Sequence, residues 1–181
     1  MTERAEATNA SADAAGTDAA STDTASAGAT STVPLRHERG EFAGASKRRT
    51  GPYDAGDCCG EPPADLLHGI HEFNRGEFFE QHEVLETLWR ATEGDVRYLY
   101  QGILLIGVGF YHLGRGNYHG AQAKLAAGIA MLDWFAPTCQ TVDVADLLAR
   151  ARPCLEQVRA LGKDRLTEFD RSLIPQVKLL A

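Results

Sequence analysis

Apolar positions recur every three or four residues between Pro63 and Gly162, which is the period of an amphipathic α-helix. Gly, Pro, Asn or Asp residues separate five such segments. Gly76 is the predicted cap at the end of the first helix, and the predicted N-caps of the third, fourth and fifth helices are Asp95, Asn117 and Asp143. The pattern predicts helices over about 63–75, 77–92, 96–114, 118–135 and 144–161. Pro153, inside the last segment, predicts either a kink or a break into two shorter helices. Because the connectors are short, we expect an all-α fold, a compact antiparallel bundle of about five helices.

The third predicted helix is apolar on nearly every face, as is typical of a buried central helix or a membrane span. Its uninterrupted apolar core, Ile103 to Phe110, is much shorter than the roughly 20 residues that a span requires. Gln101 and His112 interrupt any extension. We therefore expect a buried helix and no membrane span. Glycines lower helix propensity, so the three in this helix indicate that neighbouring helices approach closely. They are Gly102, Gly107 and Gly109.

The residues before Pro63 lack this apolar pattern. Of residues 1–32, 22 are Ala, Ser or Thr, and no Leu, Ile, Val or aromatic residue occurs among them. Such a segment cannot bury enough apolar surface to offset the entropy of ordering it, so we expect disorder. The predicted organisation is a disordered tail and Gly/Pro-rich linker over 1–62, a helical domain over 63–162, and a loosely attached C-terminal arm over 163–181.

Most of the formal net charge of −7 lies in the tail. Residues 1–32 hold five acids and one base, which leaves 20 acids and 17 bases for the rest of the chain. This balance argues against a nucleic-acid partner, which usually requires a basic surface. The tail also lacks the apolar core of a secretory signal and the Arg-rich composition of a transit peptide, so we expect a cytoplasmic protein.

The four cysteines do not match a common zinc pattern. Cys58 and Cys59 are adjacent, whereas zinc sites normally use cysteines two to four residues apart with a second pair elsewhere. Cys139 and Cys154 are single residues. We therefore expect four incidental thiols in a reducing compartment.

The strongest candidate for chemistry lies on the second predicted helix. His82 and Glu86 are four residues apart, so their side chains share a helical face with Phe78, Leu85 and Trp89. We expect this face to point into the bundle. A buried imidazole and carboxylate are costly unless they satisfy each other or bind something. A divalent metal ion is one solution, because both groups are common metal ligands.

Residues nearby in the predicted bundle could complete such a site. Gln101 and His112 lie on one side of the third helix, and His112 is our first candidate for a third metal ligand. Trp89 and Gln101 would contact a bound cofactor or ligand. Glu83 is the candidate general base, although it points about 100° away from His82 around the helix. With a metal-bound water, this set would suit hydrolysis.

A second hypothesis stands beside the metal site. The pair of His82 and Glu86 would then be a buried structural lock in a non-catalytic interaction or scaffold module. The very apolar helices would serve homo-oligomerisation or partner binding. Whether the protein is an enzyme, and on which substrate, stays open at this level.

A long motif on the first two helices resembles the bacterial and archaeal family catalogued as domain of unknown function 309. The similar segments are Phe73 to Trp89, Gln101-Gly102-Ile103, Tyr111-His112, Gly116-Asn117 and Gly120-Ala121. The family's hallmark is H-x-x-x-E-x-x-W/Y, which corresponds here to His82, Glu86 and Trp89. The resemblance covers about residues 63–135 and implies a small all-helical domain with a proposed metal site and no established activity.

Overall fold

The computed structural model describes residues 51–54 and 56–181, so most of the predicted tail and linker lies outside the described residues. The described part of the chain contains five α-helices and confirms the predicted all-α fold. They are α1 (Ala64–Arg75), α2 (Phe78–Ala91), α3 (Arg97–Gly114), α4 (Tyr118–Leu132) and α5 (Val144–Leu161). A single turn of 3₁₀-helix, Asp133–Phe135, extends α4.

Local sequence signals account for several helix ends. Gly76 follows α1 in the left-handed region, with φ of 81°, as only glycine readily allows. Asn117 caps the N-terminus of α4, because its side-chain oxygen accepts a hydrogen bond from the Gly120 backbone N–H at 2.9 Å. Asp143 caps α5 in the same way through the Asp146 N–H, also at 2.9 Å. These three ends match the predicted signals.

The start of α3 differs from the sequence prediction, which used Asp95 as the helix cap. The helix begins after Val96 without a side-chain cap. The Asp95 carboxylate instead accepts a hydrogen bond from the backbone N–H of Asp54 at 2.8 Å. Three residues after Asp95, the ring of Tyr98 stacks on Tyr53 with centroids 4.4 Å apart. Residues around Tyr53, predicted as part of a linker, therefore pack against the helical domain.

A disulfide bond ties the same N-terminal segment to the domain. Cys58 is bonded to Cys139 across 81 residues of sequence, with Cα atoms 4.3 Å apart. Beside it, the Gln140 N–H donates to the Cys58 carbonyl at 2.7 Å. Cys59 is a free exposed thiol and Cys154 a free buried one. The prediction of four incidental thiols is therefore wrong for two of them, because the fold brings together cysteines that are remote in sequence.

The central helix is α3, and residues 102–110 within it are all buried. A Cβ atom placed on Gly102 would lie 2.7 Å from the Leu132 side chain, and one on Gly109 would lie 2.6 Å from Leu125. Both leucines belong to α4, so glycine allows these two helices to approach closely, as predicted. No helix in the described part of the chain is long and apolar enough to cross a membrane.

The helix α5 runs without a break through Pro153. It follows a minimal antiparallel hairpin, β1 (Thr138–Cys139) and β2 (Val142–Asp143). The two turn residues between the strands, Gln140 and Thr141, have positive φ of 46° and 62°. The hairpin turns the chain sharply, so that α5 packs on α4.

The last residues pack back onto the domain, which corrects the expectation of a loose arm. Asn74 at the end of α1 binds the backbone of Val177 twice, accepting from its N–H at 2.7 Å and donating to its carbonyl at 2.9 Å. Leu179 forms a bridge with Val142 of β2. Leu166, Phe169 and Val177 are buried. Apolar burial and these backbone hydrogen bonds hold the segment in place.

Candidate polar site on α2

The buried side of α2 consists of Gln81, Leu85 and Leu88. The face predicted to point inward is therefore rotated relative to the core, since only Leu85 of that face is fully buried. His82 and Trp89 lie at its margin and are partly exposed. In this orientation Gln81 faces α3, where it contacts Ile103 and Gly107.

The His82 and Glu86 side chains meet as their spacing predicts, with Nε2 and Oε2 3.4 Å apart. Arg90, one turn further along α2, places its Nη2 2.6 Å from Oε1 of Glu86. His82, Glu86 and Arg90 thus form a row along α2, which we call the polar row. The exposed fractions of their side chains rise along it, from 13% at His82 to 24% at Glu86 and 65% at Arg90. The carboxylate is thus held between an imidazole and a guanidinium, and its charge is compensated within one helix.

Arg97, which the sequence analysis missed, lies against Trp89 near the C-terminal end of α2. Its guanidinium carbon lies 5.2 Å from the centroid of the Trp89 ring and 6.0 Å from that of Tyr98, in cation–π geometry. The Trp89 Nε1 and Arg97 Nε atoms are buried, and within the described residues neither has a hydrogen-bond acceptor. Gln101, one turn beyond Arg97 on α3, is partly buried. No helical spacing relates Trp89 to Arg97, because a turn separates their helices.

His112 lies at the opposite end of α3, about 16 Å along the helix axis from Gln101. Its Nδ1 is 3.2 Å from the side-chain nitrogen of Asn117, and a Cβ on Gly120 would lie 2.7 Å from its ring. The pKa of His112 is lowered from its usual value, first by burial and then by the nearby charges of Lys124 and Arg115. The surroundings of His112 are thus those of the corner between α3 and α4.

The structure does not assemble the predicted metal ligands into one centre. Among the described residues, no group of three or more His, Cys, Asp or Glu side chains is arranged to hold a metal ion. His82 and Glu86 supply two ligands, fewer than the three or four protein ligands of known zinc sites. Arg90 already occupies one oxygen of Glu86 at 2.6 Å. Glu83, the candidate base, is exposed on α2. The pair therefore fits a zinc centre poorly, and the metal stays a prediction.

Gln81 is the polar residue at the α2–α3 contact that sequence reasoning missed. It is fully buried, and its amide nitrogen donates to the Ile103 carbonyl at 3.3 Å. A Cβ on Gly107 would lie only 2.2 Å from the amide oxygen, so this glycine makes the space that Gln81 occupies. Among the described residues the oxygen has no hydrogen-bond partner. The combination of a glycine in α3 and a glutamine in α2 is the only available sequence signal for this contact.

These features define the class of the protein: a small all-helical domain whose second helix carries an ordered row of polar side chains. A family model described as "Domain of unknown function (DUF309)" matches residues 66–123. The match runs from α1 to the beginning of α4 and confirms the resemblance inferred from the motif. It contains His82, Glu86, Trp89, Gln101 and His112 without assigning them a role. No curated protein matches the chain.

Proposed function

We propose that the domain is a non-catalytic helical scaffold for binding, in which His82 and Glu86 form a structural pair. The observation that supports this most directly is the position of the Glu86 carboxylate, 2.6 Å from Arg90 and 3.4 Å from His82. Both of its oxygens already face a partner on the same helix. The row stabilises α2 and neutralises a carboxylate at the edge of the core, so no further ligand is required for charge balance.

The close packing around α3 supports the same proposal. Residues 102–110 are buried on all sides, with glycines in close contact with α2 and α4. A central helix packed in this way offers a fixed frame on which outer helices present their exposed faces. We therefore place binding partners on the outer surface of the domain and not in the row on α2.

A divalent metal ion at His82 and Glu86 is the second candidate function. Two observations favour it: the side chains are 3.4 Å apart, and 24% of the Glu86 side chain is accessible to solvent. An arriving ion would have to displace Arg90 and recruit further ligands from water. Hydrolysis with Glu83 as the base belongs to this second candidate.

One experiment separates the two candidates. Protein without a histidine tag is unfolded thermally with and without zinc or manganese, as wild type, His82→Ala and Glu86→Gln. His71→Ala is the matched control, because His71 is an exposed histidine on α1. A structural pair predicts that both variants at the row lose about 0.5–1 kcal/mol of stability, regardless of metal.

The opposite result would overturn the proposal. If metal raises the melting temperature of the wild type and of His71→Ala but not of His82→Ala or Glu86→Gln, the row is a metal site. If neither variant at the row changes stability under any condition, the pair is not structural.

A further inference from the structure

A cleft of about 380 Å³ lies between α5 and the C-terminal segment. Its volume falls within the range of small-molecule sites in proteins. One wall comes from α5, where Pro153 is exposed, and the other from Leu173, Ile174 and Pro175. The cleft is remote in sequence from the polar row on α2, and it lies outside the family match at residues 66–123.

The two walls are tied together at both ends. The buried Cys154 thiol lies 3.2 Å from the Leu173 carbonyl and 3.3 Å from the Arg150 carbonyl, so it contacts the C-terminal segment from α5. At the other end, Asp146 on α5 accepts from Lys178 at 3.0 Å and from Arg150 at 2.9 Å. These bonds give the cleft a defined shape, so a ligand would meet a preformed surface.

Both ionisable side chains that line the cleft are cations, Arg150 and Lys178. They share the single carboxylate of Asp146, which does not line the cleft. About half of each cationic side chain is exposed, 53% for Arg150 and 51% for Lys178. One carboxylate therefore offsets two positive charges, and the cleft carries an excess of positive charge at one end.

Pro153 adds a polar feature to the apolar wall. Proline has no backbone N–H, so the carbonyl of Ala149, four residues earlier on α5, lacks its usual helical donor. Ala149 is exposed and also lines the cleft. The wall thus combines apolar surface with a backbone acceptor whose normal partner is missing.

We propose that this cleft binds a small organic carboxylate with an apolar body and one hydrogen-bond donor. The carboxylate would accept hydrogen bonds from the N–H groups of Arg150 and Lys178 that do not contact Asp146. The apolar body would lie against Pro153 and Leu173, and the donor would face the Ala149 carbonyl. Each part of the ligand is complementary to one feature of the cleft: the carboxylate to the positive charge, the apolar body to the apolar wall, and the donor to the backbone carbonyl. This proposal does not depend on the role of His82 and Glu86.

The test uses N-acetyl-L-phenylalanine as the probe and its neutral C-terminal amide as the matched ligand. Both are titrated into the full-length isotope-labelled protein to about 10 mM, high enough to detect a Kd of about 1 mM, and followed by amide NMR shifts. The variants are Arg150→Gln, which removes one cation, and Ala149→Phe, which fills the cleft from an exposed position. Arg159→Gln on the same helix is the control, because Arg159 pairs with Glu156 and does not line the cleft.

We expect saturable shifts for the acid at residues 149–153 and 172–178, and affinity at least fivefold lower for the amide. Arg150→Gln should weaken binding up to about fivefold, the upper range for an exposed ion pair. Ala149→Phe should abolish it, and Arg159→Gln should leave it unchanged. The proposal is overturned if the acid gives no saturable shifts, if they map elsewhere, if the amide binds equally well, or if Ala149→Phe still binds.

Discussion

Removing the disulfide between Cys58 and Cys139 should strongly destabilise the protein. The bond closes a loop of 81 residues that contains α1 to α4. In the chain-entropy model, a loop of this length restricts the unfolded chain by about 4.5 kcal/mol at 25 °C. Because a domain of this size is typically stable by roughly 5–15 kcal/mol, the loss is a large fraction of the total.

The native contacts around the bond indicate which part of the domain opens first. Without the bond, two hydrogen bonds still hold the segment before α1: the Gln140 N–H on the Cys58 carbonyl and the Asp54 N–H on the Asp95 carboxylate. Stacking of Tyr53 on Tyr98 and Phe135 adds to them. A few such contacts hold a segment weakly against its conformational entropy. We therefore expect faster amide exchange near Tyr53 in the reduced protein, with little change in α3.

The assay is chemical denaturation of the oxidised protein, the reduced protein and the Cys139→Ala variant. Cys59→Ser is the matched control, because Cys59 is an exposed free thiol next to the bond. Thiol titration of the denatured, unreduced protein should find two free thiols, and four after reduction. The reduced protein and Cys139→Ala should unfold at lower denaturant, by an amount that corresponds to 2–5 kcal/mol.

The reasoning is refuted if four thiols react before any reduction, since the bond would then be absent. It is also refuted if Cys139→Ala and the oxidised wild type unfold at the same denaturant concentration. Cys59→Ser should behave as the wild type under both redox conditions. A stable disulfide is unusual in a reducing compartment, so the thiol count also bears on the predicted cytoplasmic location, which stays a prediction.

Three further predictions concern the helices. Gly107→Ala should lower the free energy of unfolding, measured with denaturant, by about 1–3 kcal/mol, because its Cβ would lie 2.2 Å from the buried Gln81 oxygen. Gly114→Ala is the control and should be neutral, because its Cβ would meet no atom within 4 Å. Equal stabilities of the two variants would contradict the contact. Burial, with nearby cations, lowers the pKa of His112 below 6.5, so the unfolded chain binds more protons than the folded protein. The free energy of unfolding should therefore fall as the pH drops below about 6.5. This pH dependence should be weaker in His112→Gln. Asp143→Ala should lower the free energy of unfolding, measured by thermal unfolding, by about 1 kcal/mol, because α5 loses its N-terminal cap. An unchanged stability would exclude this capping role.

Much of the fold was predictable because it depends on short-range signals. Apolar spacing located all five helices, and Gly76, Asn117 and Asp143 marked their ends. The spacing of His82 and Glu86 was also sufficient to predict their contact, because residues four apart on a helix are always neighbours. Asp95 shows where this reasoning ends. Its carboxylate binds a backbone N–H 41 residues earlier instead of capping α3.

The composition of the site depended on contacts between helices. Sequence reasoning proposed His112 as a third ligand because it shares one side of the third helix with Gln101, and this role stays a prediction. In the structure its ring lies beside Asn117 and Gly120 at the α3–α4 corner. Arg97 and Gln81 were missed, because their partners Trp89 and Ile103 lie on the other helix of the α2–α3 pair. Helix periodicity describes one helix at a time and contains no information on which turn of a neighbouring helix lies opposite.

By itself the sequence determined the helices, their order and the pairing of residues within one helix, since these follow from backbone periodicity and local capping. Tertiary structure decided the rest. Close packing at Gly107 turned Gln81 into the core and left His82 at its edge. The disulfide brought together cysteines 81 residues apart, and the last segment closed a cleft against α5. Such contacts depend on how whole helices pack in three dimensions, which no local pattern along the chain encodes.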